Sequence, residues 1–228
     1  MASEPSSAPR FLVLEVPAPG SHETDFYIVD GNTGDSPHCP QCNEGFGSLS
    51  WLPPYRGELD LVSQDFGDLV RTGGDDLLMT ERMAEAFQKE GLKGLSGFHA
   101  VEIVRVLKRG RRKPLVPPKY FCVSPAFLSA AVDEARSHIQ RPKPFTCSYC
   151  RARAGLRSVY GFGIEEGNWN GDDIFRPRGL TGTIVVSERF ERFVTRHGFT
   201  NMQLTPTEKY SLDFSPPRPV PSPPKASA

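Results

Sequence analysis

The sequence predicts an α+β fold made of two related halves, each running strand, knuckle, strand and helix. Three observations carry this expectation. Two Cys-x-x-Cys knuckles, Cys39-Pro40-Gln41-Cys42 and Cys147-Ser148-Tyr149-Cys150, stand 108 positions apart, from residue 39 to residue 147. Each knuckle is followed by an Asp-apolar-apolar-Arg run, Asp68-Leu69-Val70-Arg71 and then Asp173-Ile174-Phe175-Arg176. Each run is followed by a short apolar strand and a Ser/Thr-Glu-Arg start, Thr80-Glu81-Arg82 and Ser187-Glu188-Arg189, offset by 107 positions (80 to 187). Self-similarity at a fixed offset is the mark of an internal repeat.

The elements follow in order. Phe11 to Val16 is an apolar run that ends at Pro17 and reads as a buried strand. Asp25 to Val29 is a second strand. The turn-rich stretch from Asp30 to Pro37 delivers the first knuckle. Trp51 to Pro54 is broken by proline and reads as irregular. Leu77 to Met79 is a short strand, and Thr80 caps a helix that Gly91 stops. His99 to Leu107 alternates as a strand does. Lys108 to Lys113 is a basic turn.

The second half opens with a strand from Tyr120 to Val123. Ser124-Pro125 then has the pattern of an N-cap and first helical residue, and Leu128, Ala131, Val132, Ala135 and Ile139 recur at helical spacing. A helix is expected there. Gly155 to Pro177 reads as a loop region, Thr183 to Val186 as a strand, and Ser187 as the cap of a helix that ends at Gly198. Residues 1–9 and the Pro/Ser-rich residues 215–228 are expected to be disordered, because they have little to bury. Between them, 10–214 reads as one α+β domain, made of pseudo-repeats at about 10–108 and 109–214.

Paired thiols at the Cys-x-x-Cys spacing can place two sulfurs on one ion, and two pairs complete a tetrahedral zinc site. Cys39, Cys42, Cys147 and Cys150 are thus the expected ligands of one structural zinc, shared between the halves. Two other uses of the same residues stay open at this point: a redox or disulfide pair, and buried thiols with no chemistry. Cys122 lies in the apolar run Tyr120-Phe121-Cys122-Val123 and reads as a small buried hydrophobe.

Charge and motif limit the function classes. Lys plus Arg number 27 and Asp plus Glu number 27, so the chain lacks the net basic field of a generic polyanion binder. The five histidines show no His-Glu-x-x-His spacing, and no phosphate-binding glycine loop or Gly-x-Ser-x-Gly elbow occurs. Zinc held by four thiolates has no open position for activating water. The chain therefore reads as a binding protein and not an enzyme. It shows no signal-peptide pattern and no apolar run near the roughly 18 residues of a membrane span, and reads as cytoplasmic.

The two distant knuckles, the stretch Leu78 to Gly91, and above all the block from Asp173-Ile174-Phe175-Arg176 to Ser187-Glu188-Arg189-Phe190 resemble the double-CxxCG-motif immunity proteins of contact-dependent toxin systems, described chiefly from myxobacteria. The resemblance covers roughly residues 24–212. Asn43 and Arg151 stand where that family has glycine after each second cysteine. Asn tolerates left-handed backbone there, and Arg carries more strain. The resemblance implies a cytoplasmic antidote that binds and blocks a cognate protein toxin. The stretch Gly163 to Asp173 is the expected partner surface, with Glu165, Glu166 and Asp172 around Trp169, an anchor type common at interfaces. The alternative is a zinc-ribbon-like nucleic-acid-binding protein, which would use Lys108 to Lys113 with Arg151, Arg153 and Arg157 on phosphates.

Overall fold

The computed structural model describes residues 9–16, 20, 22–63, 65–108 and 115–214. The expected disordered ends (residues 1–8 and 215–228) and most of the basic turn (residues 109–113) lie outside the described residues.

In chain order the elements are β1 (Phe11–Glu15), β2 (Thr24–Thr33), β3 (Trp51–Leu61), β4 (Leu69–Arg71), β5 (Leu77–Thr80), α1 (Glu81–Lys89), β6 (Leu95–Leu107), β7 (Tyr120–Ala131), β8 (Ile139–Gln140), β9 (Ser158–Tyr160), β10 (Ile174–Arg178), β11 (Ile184–Ser187), α2 (Glu188–His197), β12 (Gln203–Pro206) and β13 (Ser211–Asp213). The fold is mostly sheet with two helices. A ten-stranded sheet runs β12-β1-β11-β10-β7-β6-β3-β2, with β5 pairing β4 and β7, and a small sheet runs β13-β9-β8.

Strand alternation sorts the core into two faces. Leu12 and Leu14 of β1, with Ile184 and Val186 of β11, pack with Met83, Phe87, Phe190, Phe193 and Val194 of the helices. Phe11 and Val13 of β1, with Phe175 and Val185, face the other way and meet Val159, Ile139 and Leu212 of the small sheet. Period-two side-chain placement makes one strand serve both cores. A third cluster, around Phe26, Trp51, Leu59 and Tyr120, supports the β2-β3-β6 wing.

The pairing crosses between the two halves of the chain. β1 pairs antiparallel with β11, Phe11 opposite Ser187, and β5 pairs antiparallel with β7, Thr80 opposite Tyr120. The helix starts carry matching contacts. Asp68 accepts from Thr80 Oγ1 (2.8 Å), from Arg82 Nε (2.7 Å) and from the Thr200 amide (3.0 Å). Asp173 accepts from Ser187 Oγ (2.7 Å), from Arg189 Nη1 (2.9 Å) and from the Lys93 amide (2.9 Å). Both carboxylates are buried, at 3% and 2% exposure, so these bonds replace the water they have lost. Ser187 also accepts from the Phe190 amide as a true N-cap, whereas the Thr80 side chain makes no cap bond. Gly91 and Gly198 both turn left-handed after their helices, at φ 64° and 61°.

Three expectations need correction. The helix expected from Ser124 is not formed: Tyr120–Ala131 is one strand, β7. Its first part is hydrogen-bonded to β6 and β5 and its second part lies parallel to β10, so the pairing overrides the local helix signal. Leu128, at φ 66°, marks an irregularity in this strand. Trp51 to Pro54 is not irregular but begins β3. Here β3 pairs only with β2, and β6 joins from Arg56 onward, so Pro53 and Pro54 leave no ladder bond unmade on that side. The expected Gly155–Pro177 loop contains β9 and the start of β10.

Candidate metal centre

The first knuckle lies between β2 and β3, and the second between β8 and β9. Each is a tight turn closed by its own backbone. The Asn43 amide donates to the Cys39 carbonyl (2.9 Å) and the Arg151 amide donates to the Cys147 carbonyl (3.0 Å). The residue after each second cysteine is left-handed, Asn43 at φ 57° and Arg151 at φ 56°. For Arg this conformation costs roughly 1–2 kcal/mol. Its side chain offsets that cost. Arg151 Nη1 donates to the Val132 carbonyl at the end of β7, and Nη2 donates to Glu165 at 2.6 Å. The arginine thereby ties the second knuckle to the sheet.

The fold brings all four sequence-predicted ligands together. Their sulfurs lie within 4.8 Å of one another, with Cys39 Sγ 4.0 Å from Cys147 Sγ and Cys42 Sγ 3.8 Å from Cys150 Sγ. All four are free thiols, so no disulfide forms. A tetrahedral ion with Zn–S bonds of about 2.3 Å sets its sulfurs about 3.8 Å apart, and the observed spacing fits. Cys39 and Cys150 are buried, Cys147 is half-buried and Cys42 is exposed. Phe46, Phe127, Leu128 and Tyr149 pack around the cluster. Arg153 Nε reaches Glu44 Oε1 at 2.6 Å and bolts the two knuckles together from outside.

The electrostatics suit a cation. At Cys39 burial raises the thiol pKa, but amide donors from Cys42 and Gln41 outweigh it and bring the group down to about 7. At Cys147 the Cys150 amide lowers the pKa against burial. Burial pushes Cys150 up to about 12. At Cys42 the Glu44 amide lowers the pKa, while burial and the neighbouring Cys39 and Cys147 sulfurs raise it by more. Four thiolates this close repel one another, so a thiophilic dication is what makes full deprotonation favourable. Such a site, with four protein ligands, holds a metal without offering it to a substrate.

Sequence reasoning missed the clamp between Glu44 and Arg153. Its one signal was a charge placed two or three residues after each knuckle, with opposite sign. It also missed Phe127 beneath the cluster, because that residue was assigned to a helix.

The expected partner stretch is placed as follows. Glu165, Glu166 and Trp169 line one cleft of about 390 Å³ with Phe11, Phe162 and Ile164. Trp169 is half-buried against Phe11, ring centres 5.1 Å apart, and its indole N–H donates to the Asp172 carbonyl. Glu165 accepts from Arg151 and Glu166 from Arg136. Asp172 stands apart from the cleft, its carboxylate accepting from Ser129. Among the described residues no helix is long and apolar enough to cross a membrane. No family model matches the chain, and no curated protein matches it.

Proposed function

We propose that this protein is an immunity protein that binds and neutralises a cognate protein toxin in the cytoplasm. One zinc ion on Cys39, Cys42, Cys147 and Cys150 is its structural staple, and the segments 10–108 and 109–214 are related halves. The observation that carries the reading is the closed set of four thiols drawn from two remote turns. That arrangement suits a rigid scaffold and leaves no coordination position for catalysis. The resemblance of the sequence supplies the class of partner. The matched contacts of Asp68 and Asp173, and the pairing of each half's first strand with the other half's helix-leading strand, support a duplicated origin. In this reading Trp169 is the anchor and the acidic rim of Glu165 and Glu166 steers a basic partner.

The nucleic-acid alternative is weakened by two ion pairs. Arg151 and Arg153 are already neutralised by Glu165 and Glu44. The deciding experiment is growth protection in a bacterial host that expresses a candidate cognate toxin. Rescue by the wild-type protein, co-purification of the pair and weakened rescue by Trp169→Ala would support the reading. No rescue, together with duplex DNA binding that falls steeply with salt, would replace it with the alternative.

A further inference from the structure

Arg71 and Arg176 close the two Asp-apolar-apolar-Arg runs, yet they have different partners. Arg176 is buried, at 2% exposure, and its Nη2 donates to the Asp75 carbonyl at 3.0 Å and lies 3.3 Å from Asp75 Oδ1. Asp75 sits in the turn two residues before β5. The corresponding turn position, two residues before β11, is Gly182. It brings no side chain, and Arg71 has no hydrogen bond or ion pair from its guanidinium to any carboxylate among the described residues. Arg71, Gly182, Thr183 and Tyr210 all line both of two adjoining clefts, of about 510 and 270 Å³. Among the described residues no carboxylate lines the larger cleft, and its other arginines, Arg141, Arg151 and Arg153, are held by Glu134, Glu165 and Glu44. In the smaller cleft Glu15 accepts from Thr205 instead. A carbon added at Gly182 would meet nothing within 4 Å.

We propose that the space beside Arg71 and Gly182 is an oxyanion-binding site, in which the phosphate or carboxylate of a small ligand takes the place that Asp75 holds beside Arg176. The larger cleft has the volume of a small-molecule site. Leu156, Leu180 and Leu212 line it and give an apolar body somewhere to lie. Burial, and with it the nearby charge of Arg71, disfavours the charge of Arg176, and a bound anion relieves this. The correspondence of Asp75 with Gly182 rests on the two-halves reading; the cleft and the unpaired Arg71 do not.

The test is calorimetric titration of the full chain with phenyl phosphate, benzoate and inorganic phosphate, repeated on Arg71→Gln and Gly182→Asp. Gly182 is not left-handed, so aspartate fits its backbone. The wild type is expected to bind phenyl phosphate or benzoate more tightly than inorganic phosphate, and the tighter of the first two identifies the head group. Arg71→Gln should weaken binding at least tenfold, and Gly182→Asp should abolish it while raising the melting temperature. No binding of any probe at millimolar concentration, or binding unchanged in Arg71→Gln, would overturn the site. Loss in Arg71→Gln with binding retained in Gly182→Asp would keep the site and remove only its derivation from the repeat.

Discussion

Arg82 and Arg189 cap each other's helices. Arg82, at the start of α1, donates to the carbonyls of His197 and Gly198 at the end of α2, at 3.5 and 3.4 Å. Arg189, at the start of α2, donates to Gly91 (3.2 Å) and Glu90 (2.5 Å) at the end of α1. Cations at helix C-termini meet unpaired carbonyls and the negative end of the dipole. Neither helix is therefore fully capped until both are in place, and Asp68 and Asp173 hold the two arginines in position.

Those carboxylates should be equivalent in worth. Asp68→Asn and Asp173→Asn are each expected to cost about 1–3 kcal/mol, since each leaves buried donors poorly matched. Urea denaturation of the two variants would check this. A neutral result at one site and a large one at the other would show that the matched contacts are not energetically matched.

Metal removal should unfold the protein and not merely silence it. Structural zinc sites are worth about 10–16 kcal/mol in small peptides, against about 5–15 kcal/mol for the whole stability of a typical domain. Elemental analysis is expected to find one zinc per chain. Chelation should lower the melting temperature of the wild type and leave that of Cys39→Ser, already low, unchanged. A Cys39→Ser protein with wild-type metal content and melting point would contradict the staple.

Arg151 tests the second knuckle. Arg151→Ala keeps the left-handed backbone cost and loses the bonds to Val132 and Glu165, so it should lose about 2–3 kcal/mol. Arg151→Gly removes that backbone cost and should lose less. The order of the two variants in thermal denaturation is the prediction, and the reverse order would mean that the left-handed backbone costs little at this position.

Acid should loosen the helix pair through Glu90. Its hydrogen bond with His197 and the charge of Arg196 hold its pKa below the ordinary 4.5. A carboxylate with a lowered folded pKa stabilises above its ordinary value, and that contribution fades as pH falls through the folded value. Wild type and Glu90→Gln should therefore differ in urea midpoint at pH 6, and the gap should narrow as the pH falls below 4.5 and through the lowered folded value. A gap that does not change with pH would assign the effect to packing.

The cysteine cluster and the helix starts were legible because their chemistry is local: a ligand spacing, a cap, a stop glycine. β7 was not. Ser124-Pro125 is a genuine helix-start pattern, and only the partners Ser96, Leu95 and Phe175, remote in sequence, make it a strand. β8, with two residues, and β9 and β13, with three each, are too short to carry a period. The vacancy beside Arg71 was hidden for another reason: it is defined by a side chain that glycine does not have.

The placement of β1 also bears on synthesis. This strand lies between β11 and β12, with Leu14 opposite Ile184 on one side and Leu204 on the other. At a translation rate of about 5–20 residues per second, Leu14 leaves the ribosome on the order of ten to forty seconds before Leu204 does. Until Ile184 emerges, some 20 residues before Leu204, this apolar strand has neither neighbour. A trigger-type chaperone that shields Phe11–Glu15 on the nascent chain would then raise the yield of native protein, and moving these residues by circular permutation to follow β12 should reduce the dependence.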